Sequence, residues 1–241
     1  MKDEKLNVVN PFYKRVGENY LARKEQNKLN PVVAPVQENK QPENQIVFPA
    51  KEGYIYVPLI KLYVAKERSY LGSDFNECQD LFCKENAKML NLNEMREFLK
   101  YAKENEREVY NEITELRKPT RAEWIDADFK MYGDDLYVHY HVFDFNKKII
   151  LLKDKLDQDT LMQKSKKISL DDCLSDSYTK QGLPSKNVEE GTFTYWAPNK
   201  NYVVRLGSSS GGFGLICDRN ISTNYSNLGV RKCFSKLEDI K

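Results

Sequence analysis

Residues 201–231, NYVVRLGSSSGGFGLICDRNISTNYSNLGVR, differ in composition from the rest of the chain. This window contains no Lys, Glu, Gln, Met or Trp, although those five types make up 63 of the 241 residues. If these residues were spread evenly along the chain, as in an ordinary charged domain, about eight of them would fall within 201–231. The window instead holds Gly, Ser, Asn, Asp, Thr and Tyr, with Arg as its only base. A Gly- and Ser-rich loop has a similar bias because turns favour small polar residues, so a loop and a binding surface both stay open.

The window also has a period of two residues, which divides it into two faces. The apolar phase consists of five residues: Val204, Leu206, Phe213, Leu215 and Cys217. This phase shifts by one residue at Gly211 and Gly212, as a turn or bulge would cause. The opposite phase has no common physical character, which is unusual for a solvated sheet face. We therefore expect strands with one buried and one displayed face, followed by an irregular polar loop over 220–227.

Upstream of the window, the pattern predicts strands, then helices, then strands again. Residues 52–66 predict one or two strands interrupted at Pro58. A first helix begins at Ser73 or Asp74 and reaches about Ala87. A second begins at Asn91 or Asn93 and ends before Pro119.

After the helices, strict alternation predicts a β-hairpin across 122–145, with its turn at 133–135. Residues 147–190 resemble a long surface excursion, and strands resume at Gly191. The order of elements predicts an α+β domain in which two helices pack on antiparallel sheets with irregular loops.

Bulk composition sets the limits of the domain and of its partners. Residues 1–45 are polar and interrupted by Pro, which predicts an extension or linker before a domain over 46–241. The 38 basic and 36 acidic residues nearly balance, so we expect no nucleic-acid partner. No apolar run approaches the ~18–20 residues that cross a bilayer, so we expect no membrane insertion. The first residues lack the apolar segment of a signal peptide.

Motifs for enzyme chemistry are incomplete in this chain. Residues 207–211 fit G-x-S-x-G with Ser209 as nucleophile, but both histidines precede it, contrary to the order of that triad. The glycines that follow have no Gly-Lys-Ser/Thr and open no helix, so a phosphate loop is not indicated. We expect no enzyme activity and no cofactor.

Metal-ligand spacing is equally incomplete. His139 and His141 point to one face of a predicted strand, yet no third ligand follows at a readable spacing. The five cysteines are an odd number without a secretory signal, which argues against a disulfide framework. We expect no bound metal, and a core position for Cys217.

Four blocks of sequence resemble a known family. They are NLNEMREFLKYAKE (91–104), RAEWIDADF (121–129), QGLPSKNVEEGTFTYWAP (181–198) and CDRN with NLGVR (217–220 and 227–231). Together they resemble the variable proteins of diversity-generating retroelements, most of all the archaeal and archaeal-virus members. The resemblance covers roughly residues 50–234 and implies a C-type lectin fold related to the formylglycine-generating-enzyme branch.

The resemblance also implies which residues vary. In that family, reverse transcription randomises template adenines, so Asn-type codons yield a set that includes Asn, Ser, Asp, Gly, Tyr, Thr, Ile and Arg but excludes the five types that the window lacks. The implied variable, ligand-binding residues are Gly207, Ser209, Gly211, Gly212, Gly214, Ile216, Asp218, Asn220, Thr223, Asn224, Tyr225 and Asn227. The implied scaffold residues are Phe213, Leu215, Cys217, Arg219, Leu228, Gly229, Val230 and Arg231. An Arg at a strand end needs buried acceptors, and the sequence names none for Arg231.

The expected function is therefore ligand binding without catalysis, at a diversified site on a lectin-fold scaffold. The expected partner is a protein or surface ligand, in a virion or cell-surface setting, and homo-oligomerisation stays open. The chain lacks the calcium–sugar motif of calcium-dependent lectins and the paired cysteines of formylglycine-generating enzymes. A formylglycine-generating-type oxidoreductase and a purely structural virion or surface protein are the alternatives.

Overall fold

The computed structural model describes residues 51–175 and 177–240, and the predicted extension over 1–45 lies outside them. Within this part of the chain, eleven strands and four α-helices form a mixed α+β fold, which confirms the predicted class. The strands are β1 (Tyr54–Val57), β2 (Leu62–Ser69), β3 (Lys88–Met89), β4 (Arg121–Tyr132), β5 (Asp135–Phe143), β6 (Ile149–Lys155), β7 (Lys166–Ile168), β8 (Phe193–Trp196), β9 (Val203–Ser209), β10 (Gly212–Arg219) and β11 (Leu228–Phe234). The helices are α1 (Phe75–Lys84), α2 (Leu92–Asn105), α3 (Arg107–Thr114) and α4 (Leu170–Leu174).

All eleven strands belong to one sheet, whose main path is β1-β2-β11-β4-β9-β10-β8-β7. The predicted hairpin is confirmed as β4 and β5, and β6 continues from β5. The prediction of antiparallel sheets needs correction, because β11 runs parallel to β4 and β8 runs parallel to β10. Neither parallel pair joins consecutive strands, since several elements separate β4 from β11 and β9 separates β8 from β10. Parallel pairs need such crossover connections rather than hairpins.

The helix starts are confirmed by their caps. The Asp74 carboxylate accepts a hydrogen bond from the Glu77 backbone N–H, and Asn91 does the same for Glu94, each completing a capping box. The second predicted helix is wrong in one respect, since it divides into α2 and α3 at Glu106. That residue has φ −136° and ψ 63°, outside the helical region.

The prediction of a surface excursion over 147–190 is also wrong. This region contains β6, β7 and α4, and it contributes several residues to the core. They are Leu156, Leu161, Met162, Ile168, Cys173, Leu174, Leu183 and Val188. Their spacing follows neither a period of two nor one of 3.6, because turns and short elements interrupt them, so the sequence carried no periodic signal.

Two apolar clusters lie on opposite sides of the central strands. On one side, α2 and α3 pack against residues such as Ile125 and Leu206. On the other side, α1 packs against Trp124, and Phe75 meets that indole edge-on at 5.7 Å between ring centroids. Of the helices that the structure describes, none has the length and apolar character to cross a bilayer.

Candidate functional site

The window folds into a hairpin of β9 and β10. Ser209 lies opposite Gly212, and residues 210 and 211 form the turn between them, so the predicted phase shift is confirmed. The Ser209 hydroxyl accepts from the Gly211 N–H at 3.2 Å and donates to the Gly212 carbonyl at 3.3 Å. Every residue of the predicted apolar phase is buried: Val204, Leu206, Phe213, Leu215 and Cys217. The burial of that face leaves the opposite face of the hairpin as the candidate site.

The outward face of the hairpin continues onto β8. In the parallel pairing of β8 with β10, Thr194 lies opposite Gly214 and Trp196 opposite Ile216. Trp196 keeps 44% of its surface exposed. We call this surface the display face, defined as the outward residues of the three strands together with loop 220–227; the strand residues are Thr194, Trp196, Arg205, Gly207, Ser209, Gly212, Gly214 and Ile216.

Sequence reasoning missed the contribution of β8 to this surface. Residues 193–196, FTYW, alternate between buried Phe193 and Tyr195 and the more exposed Thr194 and Trp196. That alternation was the available signal. The pairing of β8 with β10 could not be predicted, because nothing local in the sequence pairs 193–196 with 214–216.

Loop 220–227 is ordered by its own hydrogen bonds. The Asn220 side-chain oxygen accepts from the Ser222 N–H at 3.0 Å and from the Ser222 hydroxyl at 2.8 Å. The Ile221 carbonyl accepts from the Phe75 N–H at 3.2 Å, which ties the loop to α1. At the other end, the Asn227 carbonyl accepts from the Arg68 guanidinium at 2.7 Å. The loop is thus held at both ends, and its polar side chains remain at the surface.

The window glycines differ in the space around them. A Cβ added at Gly214 would lie 2.9 Å from the Thr194 Cβ and deep inside contact with the Thr194 carbonyl oxygen. At Gly207 it would lie 3.1 Å from the Arg121 carbonyl oxygen. Gly212 has φ +147°, a conformation that side chains disfavour. Only Gly211 combines open space with an unrestricted backbone, since its nearest neighbour would be the Ser209 hydroxyl at 3.6 Å.

The structure therefore places the twelve implied variable residues in two groups. Gly207 and Gly214 are buried within the sheet. The others are half-buried or exposed: Ser209, Gly211, Gly212, Ile216, Asp218, Asn220, Thr223, Asn224, Tyr225 and Asn227. They lie on the β9–β10 hairpin and in the loop that follows β10.

Arg205 is the most polar group of the face. Its Nη1 donates to the Tyr225 hydroxyl, and its guanidinium lies 5.5 Å from the centre of the Tyr225 ring. Burial, followed by the neighbouring Arg219, lowers the pKa of Arg205 to about 10, against the opposing effect of Asp218. Tyr225 itself packs on the second apolar cluster, so the loop contacts both the core and the strand residue.

On the opposite side of the sheet, buried acceptors surround Arg231, as expected for an Arg at a strand end. Its Nε lies 3.1 Å from a Glu123 oxygen, and its Nη2 lies 3.1 Å from a Glu112 oxygen. Nη1 donates to the Ala65 carbonyl at 2.9 Å and also to the Lys66 carbonyl. The residue is fully buried, so these bonds replace its hydration.

The same ionic cluster includes Arg121, which lies 2.8 Å from Glu123 and 3.0 Å from Glu112. Burial by itself would raise the pKa of Glu123, but Arg121 and Arg231 outweigh it and the pKa is lowered. The pKa of Glu112 is lowered in the same way, against its own burial, chiefly by Arg121. The two glutamates are therefore ionised at neutral pH and compensate the buried arginines.

The two histidines of β5 are engaged in local contacts. His139 stacks on Tyr132 with 5.6 Å between ring centroids, and His141 Nδ1 lies 3.1 Å from the Asp126 carboxylate. Among residues 51–175 and 177–240, no cluster of three or more His, Cys, Asp or Glu is arranged to hold a metal ion. Cys217 is buried in the core as predicted, and burial raises the pKa of its thiol well above the ordinary value.

The chain matches no protein-family model, no curated protein and no solved structure.

Proposed function

We propose that this chain is a non-enzymatic ligand-binding protein with a C-type lectin fold, diversified by a retroelement at its display face. One observation carries the proposal. The hairpin residues that lack a common physical character share the outer face of β9 and β10, and Tyr225 of loop 220–227 contacts Arg205 on that face, while the apolar half is buried beneath it. A simple Gly- and Ser-rich loop accounts for the composition but not for this segregation.

The proposed mechanism is surface complementarity on a rigid support. Hydrogen-bonded strands fix the backbone, so side chains can change without reordering the chain, and a preorganised surface loses less entropy on binding. The glycines at 207, 212 and 214 are restricted by neighbours or by φ, and we leave them out of the displayed set. The proposed set is Ser209, Gly211, Ile216, Asp218, Asn220, Thr223, Asn224, Tyr225 and Asn227.

The positions of the histidines and the pKa values of the buried thiols support binding rather than catalysis. Both histidines belong to β5, which pairs with the far half of β4 rather than with the hairpin. Burial raises the pKa of the Cys233 thiol to about 12, and that of Cys217 also rises, so both stay protonated at neutral pH. A thiolate, not a thiol, is the reactive form. The proposed ligand is a protein or surface group met in a virion or cell-surface setting.

The decisive experiment is on the DNA. We expect a near-copy of the codons for 201–231 beside a reverse transcriptase gene, differing from the expressed copy only at template adenines. Template codons for the nine displayed residues should carry adenine at their first two positions. Those for Gly207, Gly212 and Gly214 should read GGN, because a side chain at any of them strains the sheet. Absence of the near-copy would refute diversification and favour a purely structural role.

A further inference from the structure

Arg205 on the display face and Arg219 beside it, at the end of β10, lack a carboxylate partner within the described residues. Arg205 on β9 lies opposite Ile216, and Arg219 on β10 lies opposite Val203, so the two arginines are diagonal neighbours. Both are half-buried, and the Nε atom of each is buried without a hydrogen-bond partner. The bond from Arg205 to Tyr225 is to a neutral hydroxyl. The pair therefore brings two positive charges together with no fixed negative charge bonded to them.

The other buried arginines of the sheet show how this protein normally treats such charges. Arg121 and Arg231 lie on the helical side of the sheet, and each is within 3.1 Å of both Glu112 and Glu123. Arg231 also donates to two backbone carbonyls. The uncompensated pair is on the display side. This difference between the two faces is the feature that requires an explanation.

Holding two half-buried guanidinium groups together is unfavourable without an anion. Burial removes hydration, and like charges repel more strongly where water is excluded. Asp218 is near enough to favour the charged form of Arg205, yet the ion pairs within 4.0 Å among the described residues include none between the two. A guanidinium group is a planar fork of donors that matches a carboxylate in a bidentate manner.

We propose that Arg205 and Arg219 form a fixed anchor for a carboxylate of the ligand, so that the display face selects partners presenting an exposed Asp or Glu. The proposal rests on the proposed function, because it assigns a ligand class to the same face. Both arginines lie outside the proposed variable set, so the anchor persists while its neighbours change. A protein partner fits better than a nucleic acid, since the chain's charges nearly balance at +2 and the anchor is a single pair.

The test uses the full chain and a fluorescently labelled hexaglutamate peptide, with hexaglutamine of equal length as the uncharged probe. Fluorescence anisotropy at low salt should rise with hexaglutamate and not with hexaglutamine. Arg219→Gln should weaken hexaglutamate binding at least fivefold. Arg107→Gln, an exposed arginine on α3 at the helical side, removes the same charge and should change binding less than twofold. Equal binding by the two variants would overturn the proposal.

Further arms keep the result interpretable. Arg205→Gln should act like Arg219→Gln, and circular dichroism melting identifies a variant that fails to fold. If neither variant folds, the wild-type chain decides alone, since equal response to the two peptides refutes a carboxylate anchor. A stronger response to inorganic phosphate than to hexaglutamate would also refute it. The DNA test is independent of these arms, so failure of the anchor leaves diversification standing, and the reverse holds too.

Discussion

At the scale of single residues, the glycines of the window have different roles. Gly214 lets β10 lie against β8, because a Cβ there would overlap the Thr194 backbone. Gly211 lies at the exposed turn with open space around it. The two residues are three apart in the same hairpin, yet Gly214 is required for packing and Gly211 is a position for display.

This difference gives a matched pair of substitutions. Gly214→Ala should lower the free energy of unfolding by about 1–3 kcal/mol, since overpacking forces backbone shifts. Gly211→Ala should change it by no more than about 0.5 kcal/mol, as is usual for exposed sites. Urea denaturation followed by circular dichroism measures both. Equal effects would show that β8 and β10 do not approach as closely as described.

Residue patterns predicted burial far better than they predicted partners. The period-two alternation identified the buried phase of the window, including Cys217, because alternation follows directly from strand geometry. The partners of Arg231 were not predictable, since Glu112 and Glu123 are 119 and 108 residues away in sequence. Similarly, the close approach of Thr194 to Gly214 arises from strand pairing that no local pattern encodes.

At the scale of elements, the caps and turns that depend on neighbouring residues were predicted correctly. The helix starts and the β4–β5 hairpin have local signals in capping boxes and alternation. The break at Glu106 has no Pro or Gly to announce it. The parallel pairs β4–β11 and β8–β10 depend on the whole chain's path, so the sequence could predict the strands but not their order.

The ionic cluster joins four elements, α3, β2, β4 and β11, through Glu112, which pairs with Arg68, Arg121 and Arg231. Changing the pH should reveal its contribution. The pKa of Glu112 is lowered in the folded chain, so its contribution is present at neutral pH and is lost as pH falls through that lowered pKa. Glu112→Gln should therefore be less stable than wild type at pH 7. The stability difference should shrink as pH falls below the ordinary glutamate pKa of about 4.5.

Urea unfolding of both proteins between pH 2 and 7 measures this difference. The quantity of interest is the gap between the two proteins, because carboxylates outside the ionic cluster titrate equally in both. A gap that is constant across this range, or one that widens in acid, would contradict the role assigned to Glu112.

At the scale of the whole molecule, buried thiols occur in every layer of the fold. Cys78 lies in α1, Cys173 in α4, Cys217 in β10 and Cys233 in β11, and all four are buried, whereas Cys83 is exposed. Burial raises the pKa of Cys78, Cys173 and Cys233 to about 12, which suppresses their thiolate form further. The five thiols thus report on separate parts of one structure.

We expect one thiol of the native chain, Cys83, to react promptly with a chromogenic disulfide reagent at pH 8, and Cys83→Ser to abolish that rapid phase. α4 packs on α2 beside a small apolar cavity of about 40 Å³ lined by Cys173, so residues 147–190 belong to the main core. The four buried thiols should therefore become reactive together as the urea concentration increases. Mass spectrometry of alkylated peptides assigns each thiol. Labelling of Cys173 at clearly lower urea than Cys217 and Cys233 would instead show that residues 147–190 unfold as a separate unit. The cooperative unit that supports the display face would then exclude residues 147–190.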